Sequence, residues 1–429
     1  MSNHPLFFMK IFVDDYKNEN DILDTNCINL AIKNAKEDDI IVFKNRLYKS
    51  GTIYLKSDIN LYFEDGAILK ASDNYDDFSN GVKFNDKLDV NTFINCDYNG
   101  LPKLFFIYGK DIKNVNISGK GIINGNEEIF YGEINDDYIE GAFYPRMPLF
   151  YIENAYNLKI EDVTLTKSAF WTLHLIGCEN VFIKNIKIIN NRRMLNADGI
   201  DPDHSKNVFI EGCYIESADD CIAIKNTEYF SKYGDSYNIN VKDCIFKSSS
   251  AALKIGTETC GKFSNINFDN IEILDSNRAI SLQLRDFGDI DNINFKNINI
   301  ESHMFNPKCF WGKGETISIT MVKRNNNTNL GKISNLYFEN IKAKSEHGIF
   351  MYGDINNIIF KNVEINCVNN TNYDKRIYDL RPTEDIKLLN VDPKVIYSKY
   401  AKCVKFIDFK YNNLYELINL DNESNISFE

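Results

Sequence analysis

One short phrase recurs along this 429-residue chain and constrains its fold more than any other feature: an Asn, an apolar residue, any residue, then a second apolar residue. It occurs as Asn114-Val115-Asn116-Ile117, Asn157-Leu158-Lys159-Ile160, Asn180-Val181-Phe182-Ile183, Asn207-Val208-Phe209-Ile210 and Asn238-Ile239-Asn240-Val241. It continues as Asn265-Ile266-Asn267-Phe268, Asn292-Ile293-Asn294-Phe295, Asn335-Leu336-Tyr337-Phe338 and Asn357-Ile358-Ile359-Phe360. Successive starts are 43, 23, 27, 31, 27, 27, 43 and 22 residues apart. Most of these steps match the roughly 20–30 residues of one solenoid coil, and the two long ones are coils with insertions. Apolar residues alternate within each phrase, so the strands are short and half-buried. Asn tolerates φ > 0 and bonds nearby backbone through its amide, so each phrase opens at a turn. The same Asn stacked coil upon coil makes a hydrogen-bonded ladder.

Three short strands per coil of two dozen residues predict an all-β, right-handed parallel β-helix. A β-sandwich would join antiparallel strands through tight turns such as Asn-Gly. That dipeptide occurs only at Asn80-Gly81, Asn99-Gly100 and Asn124-Gly125, not once per strand pair. Because solenoids grow along one axis, residues 1–429 read as a single domain despite their length. Solenoid ends need covers. Residues Asp24 to Lys36 form an amphipathic helix, with Ile28, Ala31, Ile32 and Ala35 on one face and Asp24 or Thr25 as its cap. The expected plan is an N-terminal cap helix at about 20–38, coils at about 40–380 and a C-terminal cover at about 381–429, where the phrase fades.

Composition narrows the function. Hydrophobic residues make up 44% and aromatics 13%, enough to exclude global disorder. A net charge of −12 argues against nucleic acid, which needs clustered Lys and Arg. It does not exclude an acidic sugar, because local cations decide that. The 10 cysteines contain no Cys-x-x-Cys pair, so a zinc or thioredoxin-type site is not expected. They read as small buried hydrophobes. The first ten residues lack a basic region followed by an apolar one, and no apolar stretch reaches membrane-spanning length. The expectation is a reduced, cytoplasmic protein without a membrane partner.

The densest polar sequence falls on neighbouring coils: Asn196-Ala197-Asp198-Gly199-Ile200-Asp201, then Ser217-Ala218-Asp219-Asp220-Cys221-Ile222-Ala223-Ile224-Lys225, then Ala251-Ala252-Leu253-Lys254-Ile255-Gly256-Thr257-Glu258. Coils stack ~4.8 Å apart, so carboxylates from different coils can share one face. That spacing spans both glycosidase regimes, ~5–5.5 Å for retention and ~6.5–9.5 Å for inversion, and does not choose between them. Adjacent Asp219 and Asp220 reach one site only from a turn or bulge. Carboxylates this close repel, which keeps at least one protonated as an acid. The plainer reading makes each Asp a turn residue; it fits Asp201 and Asp203 better than the Asp219-Asp220 pair.

These two Asp phrases resemble glycoside hydrolase family 28, the polygalacturonase family. Gly51-Thr52-Ile53-Tyr54-Leu55-Lys56-Ser57-Asp58-Ile59, Glu64-Asp65-Gly66-Ala67 and Phe170-Trp171-Thr172-Leu173-His174 look like that family too, so the resemblance covers about residues 20–365. It implies an inverting hydrolase without metal or cofactor. Asp219 would be the general acid, and Asp198 and Asp220 would hold and activate the water. Two departures stand out. Ala251 falls where the family has the His of a Gly-His-Gly phrase. Ser281 and Gln283 fall where it has the Arg and Lys of Arg-Ile-Lys, which bind the uronate carboxylate. Lys254, Lys225 and Arg285 are the replacement cations. Asn196, His174, Trp171, Trp311 and Tyr352 are further candidates for a sugar groove, since sugars stack on aromatic faces. Arg192, Arg193 and Glu258 lie close by in sequence. The expected partner is a pectic polysaccharide or oligosaccharide, galacturonan or rhamnogalacturonan in type. Two alternatives stay open: a β-helix lyase with calcium on the acidic cluster and Arg285 or Lys254 as base, and a non-catalytic glycan-binding β-helix.

Overall fold

The computed structural model describes residues 9–78, 104–140, 146–420 and 424–429. Its strands pair in parallel, coil upon coil, as a right-handed parallel β-helix. The register shows why the sequence folds this way. One interior column runs Phe150, Leu173, Ile200, Ile222, Leu253, Ile280, Ile317, Ile349, Ile396 and Ile418 on ten successive coils. On a second face Phe268, Phe295, Phe338, Phe360 and Phe406 stack ring on ring at 4.6–4.8 Å, one strand spacing apart. Each such side chain, fully buried, contributes about 1.5–3 kcal/mol. A one-residue slip would expose the whole column, so alternation sets the register.

All nine phrase-opening Asn residues adopt the left-handed conformation, with φ between 53° and 58°. The expected ladder forms: Asn157 donates to Asn114 (3.0 Å), Asn238 to Asn207 (2.7 Å) and Asn357 to Asn335 (2.6 Å).

The helix Thr25–Asn34 buries Cys27, Ile28, Ala31 and Ile32 as expected. A strand precedes it, Lys10–Phe12, paired with Ile40–Phe43. Asp24 occupies the cap position, but its carboxylate turns away to accept from Arg46 (3.0 Å) and the Lys49 backbone (3.0 Å).

The tail differs from the expected cover. Strands Ile396–Lys399, Lys402–Tyr411, Ile418–Leu420 and Ile426–Phe428 carry the coils past residue 380. The phrase fades there because Cys403 (φ 53°) takes the turn that Asn357 occupies one coil earlier. What does stand off the solenoid is an antiparallel hairpin, Ile377–Asp379 with Leu388–Asn390, inserted between two coils.

Nine cysteines in the described residues are unbonded; Cys96 lies outside them. Six are buried as expected, whereas Cys260 and Cys309 are half-buried and Cys403 is exposed. Among the described residues no helix is long and apolar enough to cross a membrane.

Candidate active site

The two successive coils that carry the Asp phrases bring Asp198, Asp219 and Asp220 together at the floor of one cleft, with a carboxylate oxygen from each within 4.8 Å of the others. Asp198 precedes the strand Ile200–Asp203, and the Asp219-Asp220 pair precedes the strand Ile222–Asn226, directly above it. Neither acid of the pair lies in a strand. Both sit in the turn after Tyr214–Ser217, which is how adjacent residues reach one site. Hydroxyls of Ser217 and Ser248 both donate to the Asp219 carbonyl at 2.7 Å, and the Gly199 amide donates to the Asp220 carbonyl at 2.8 Å. Gly199 allows that approach: a Cβ there would lie 2.3 Å from the Cys221 carbonyl oxygen.

The three carboxyls differ in their partners. Asp220 is buried and accepts three hydrogen bonds, from Lys254 Nζ (2.6 Å), Ser250 Oγ (3.0 Å) and the Ala251 amide (3.1 Å). Asp219 is only half-buried and accepts from Asn196 Nδ2 at 3.3 Å. Burial and the neighbouring Asp220 charge hold its pKa above the ordinary carboxylate range. Asp198 is buried, with Lys225 Nζ 3.6 Å from one oxygen and, among the described residues, no donor on the other. Burial, then Asp201 and Asp219, push it well above its usual range. Lys225 also meets Asp201 at 3.4 Å and lies over the Trp171 ring, 4.4 Å from its centroid. Burial works against its charge, but Asp201 and Asp198 outweigh that and hold it as an ammonium. Lys254 is held protonated in the same way, burial being outweighed chiefly by Asp220.

Of the expected binding residues, Lys225, Lys254, Asn196, Gln283, Trp171 and Trp311 line the cleft, together with Glu258. Gln283 is buried and its Nε2 has no partner among the described residues. Gly256 opens room beside it: with φ of 101°, a Cβ there would lie 2.2 Å from the Gln283 carbonyl oxygen. Three expectations are corrected. Arg285 falls just past the end of the strand Phe263–Leu284 and under the surface, fully buried, with its guanidinium donating to the carbonyls of Leu284, Thr320 and Leu380 and to Thr320 Oγ1. Burial, with Arg324 and Arg278 nearby, pushes its pKa down to about 9. His174 is wholly buried beneath the cleft. Its Nε2 lies 3.2 Å from Asp203, and its ring meets Trp171 edge-on at 4.6 Å, so it props the tryptophan. Burial outweighs Asp203 and lowers its pKa, so the ring is neutral. Tyr352 is buried within a separate apolar cluster.

Sequence reasoning missed Arg278, whose guanidinium lines the cleft. It stands on the coil after Ala251, in register with it, and pairs with Glu315 at 3.3 Å. The register was recoverable from the repeat; the position of the cleft wall was not. Arg192 is bound to Asp275 (2.5 Å), and Arg193 donates to the Asn135 carbonyl, both outside the cleft.

Chemically, the floor offers a proton donor beside a donor-saturated carboxylate, with a third carboxyl opposite. That is the equipment for acid–base hydrolysis. Two ammoniums already sit on the cluster, which weakens it as a cation site.

The family model described as glycosyl hydrolases family 28 matches residues 77–375. The chain is 29% identical over 167 residues to a probable polygalacturonase of Vitis vinifera, covering 37% of this chain and 33% of that protein. It is 28% identical over 203 residues to an exopolygalacturonase of Cochliobolus carbonum, covering 46% and 41%. The chain thus spans less than half the length of these curated relatives. A Yersinia enterocolitica family 28 exopolygalacturonase shares the fold at TM-score 0.70 and 16% identity, over 97% of this chain and 79% of that one. A hyperthermoactive exopolygalacturonase from Thermotoga maritima does so at TM-score 0.63 and 17% identity, over 98% and 91%.

Proposed function

The chain belongs to glycosyl hydrolase family 28, and on that premise we propose that it hydrolyses a pectic-type glycan with inversion at the anomeric carbon. Asp219 is the general acid, Asp220 the general base, and Asp198 holds the attacking water. The observation that carries this reading is the difference in partners among three carboxyls whose oxygens lie within 4.8 Å. Asp219 is the most accessible of the three, and its raised pKa keeps a proton for the leaving oxygen. Asp220 is committed as an acceptor by three donors, so it takes the proton that water releases. Asp198 turns a carboxylate oxygen to the same cluster and orients that water. One proton passes from Asp219 to the departing sugar, one from water to Asp220, and no covalent sugar–enzyme bond is formed.

The carboxyls are closer than the ~6.5–9.5 Å usual for inversion. The stereochemical proposal therefore rests on the family and on the availability of two carboxyls for the water. It is tested by proton NMR of the first product formed from polygalacturonan or rhamnogalacturonan. Initial product of opposite anomeric configuration is expected; retained configuration would make Asp220 or Asp198 a nucleophile instead.

The lyase reading fares worse. Arg285 is shut away from the cleft, and Lys254 is held protonated, so neither proposed base can take a proton. Ultraviolet absorbance of an unsaturated product would reverse this conclusion.

A further inference from the structure

Downstream of the cleft floor two inserted segments stand against the outward face of the solenoid, and they bear on how substrate enters. Two coils past Asp220, the outward-facing strand still presents Gln283 and Arg278 to the cleft. Beyond that coil the face is shut. Every residue of the strand His347–Tyr352 is buried, as is every residue but the last of Glu315–Met321. Ile317, Ile319, Ile349 and Met351 face the solenoid core, and the outward side is covered by the inserted hairpin, whose Tyr378 stacks on Phe350 at 4.3 Å and joins Tyr352, Leu380 and Tyr397 in an apolar cluster of its own. A second insertion, around Cys309–Trp311, stands in front of it, and both contribute lining: Cys309, Phe310 and Trp311 from one, Pro382 from the other.

These two insertions are tied together from below. Arg278 Nη2 donates to the Trp311 carbonyl (2.9 Å) and to the Asp379 carbonyl (3.1 Å), one in each insertion, while Nε pairs with Glu315. Seven residues further on, just past the end of that strand at Leu284, Arg285 holds the Leu380 carbonyl at 2.9 Å. Lys313 reaches from the first insertion to the Asp374 carbonyl (3.3 Å), and Arg381 of the second lies over the Trp311 ring at 4.5 Å. The insertions are thus fixed through their own backbone carbonyls by arginines of the solenoid, not draped over the surface.

We infer that this double wall ends the cleft, so that the enzyme removes short products from glycan chain ends, with Arg278 as the positioning residue that keeps the wall closed. The distance from Asp220 to the wall is about two strand spacings, ~10 Å. A polymer lying across the carboxyls along the solenoid axis meets the wall within that span. Only a chain end fits there, and the wall fixes how much is cut off.

This inference rests on the hydrolase reading, and one experiment separates the two. Wild-type protein is incubated with polygalacturonan and with rhamnogalacturonan, and reducing ends, viscosity and product sizes are followed from the first percent of hydrolysis. Expected is a single short product from the outset, with viscosity falling slowly against reducing ends. A ladder of oligosaccharides with early viscosity loss would overturn the chain-end inference and leave the hydrolase reading standing. No reducing ends from either polymer, with no unsaturated product, would overturn both. As a second arm, Arg278→Lys keeps the charge opposite Glu315 but cannot bridge both carbonyls, and Trp311→Ala lowers the wall. Both should lengthen the initial products and raise KM more than they lower kcat, with Tm near wild type. A merely structural role would lower Tm and leave product size unchanged.

Discussion

The ladder turn and the cleft turn of this solenoid solve the same problem by opposite means. Both are places where each coil must change direction between short strands. Along the ladder coil after coil uses the same answer, a left-handed Asn at the turn, with several neighbouring copies bonded to one another. Along the cleft each coil uses a different one: Trp171, Asp198, Asp220, Ala251 and Arg278 occupy successive levels of one register. Repetition stabilises, because each group finds its partner in its own copy. Variation loses that mutual support and gathers unlike groups, whose mismatched charges shift one another's pKa values. Substitution should therefore separate the two sides: large losses of activity without loss of fold on one, small losses of fold without loss of activity on the other.

The largest effect belongs to Asp219→Asn. Removing a general acid costs on the order of 10²–10⁴ in kcat. The carboxyl is half-buried, accepts a long 3.3 Å hydrogen bond from Asn196, and is already disfavoured as an anion, so Tm should stay near wild type. Wild-type-like release of reducing ends by this variant would remove Asp219 from the mechanism.

Asp220→Asn should lose comparable activity and also some stability, because it breaks this separation. Asp220 is at once base and anchor. Its loss leaves Lys254 without a charged acceptor and weakens the bonds from Ser250 and the Ala251 amide, at about 1–3 kcal/mol by denaturant unfolding. Lys254 is half-buried, and solvent screening keeps the figure toward the lower end. Unchanged stability would show that the three bonds carry no net weight.

How much of this was legible in the sequence follows the same division. The repeat was legible because it is local: each phrase carries its own turn and its own alternation. The Asp cluster and its two lysines were legible because the coil spacing stacks them. The Arg285 reading failed because same-face arithmetic along a strand says nothing about a hairpin arriving from 95 residues away to cover that face. His174 failed for a related reason, since facing outward from a strand does not mean facing solvent when Trp171 lies on top. The last coils were hidden because Cys403 adopts a conformation that Asn advertises and Cys does not.

The pH dependence sharpens the contrast next. Asp201 sits beneath the cleft with its pKa raised to about 7 from 3.8, mainly by burial. The native state therefore binds its proton more tightly than the unfolded chain does. Stability is greatest below about pH 4 as far as this group is concerned, falls as pH rises toward 7, and is flat above. Asp201→Asn removes that dependence. Relative to wild type, its Tm should gain a few degrees between pH 5 and pH 8. A difference that is constant with pH would mean that Lys225, 3.4 Å away, keeps Asp201 ionised throughout. Catalysis runs in the same direction: activity needs protonated Asp219 and falls as pH rises through its elevated pKa. A ladder substitution should leave both profiles where they are.

The smallest effect is on the ladder itself, and it tests which half of the Asn solution matters. Asn335 has φ of 57°, donates to Asp291 at 2.6 Å and accepts from Asn357 at 2.6 Å, all at the surface. Asn335→Gly keeps the left-handed turn without strain but removes both amide bonds. Asn335→Ala removes the bonds and also forces a Cβ into a conformation that costs about 1–2 kcal/mol. Exposed hydrogen bonds contribute about 0.5–1.5 kcal/mol each at most, and water replaces them readily. If the conformation dominates, the glycine variant stays within about 1 kcal/mol of wild type in urea unfolding and the alanine variant falls clearly below it. Equal losses in the two would make the amide ladder, not the turn, the reason Asn recurs. Glycan hydrolysis should be unchanged in both, because no ladder residue lines the cleft.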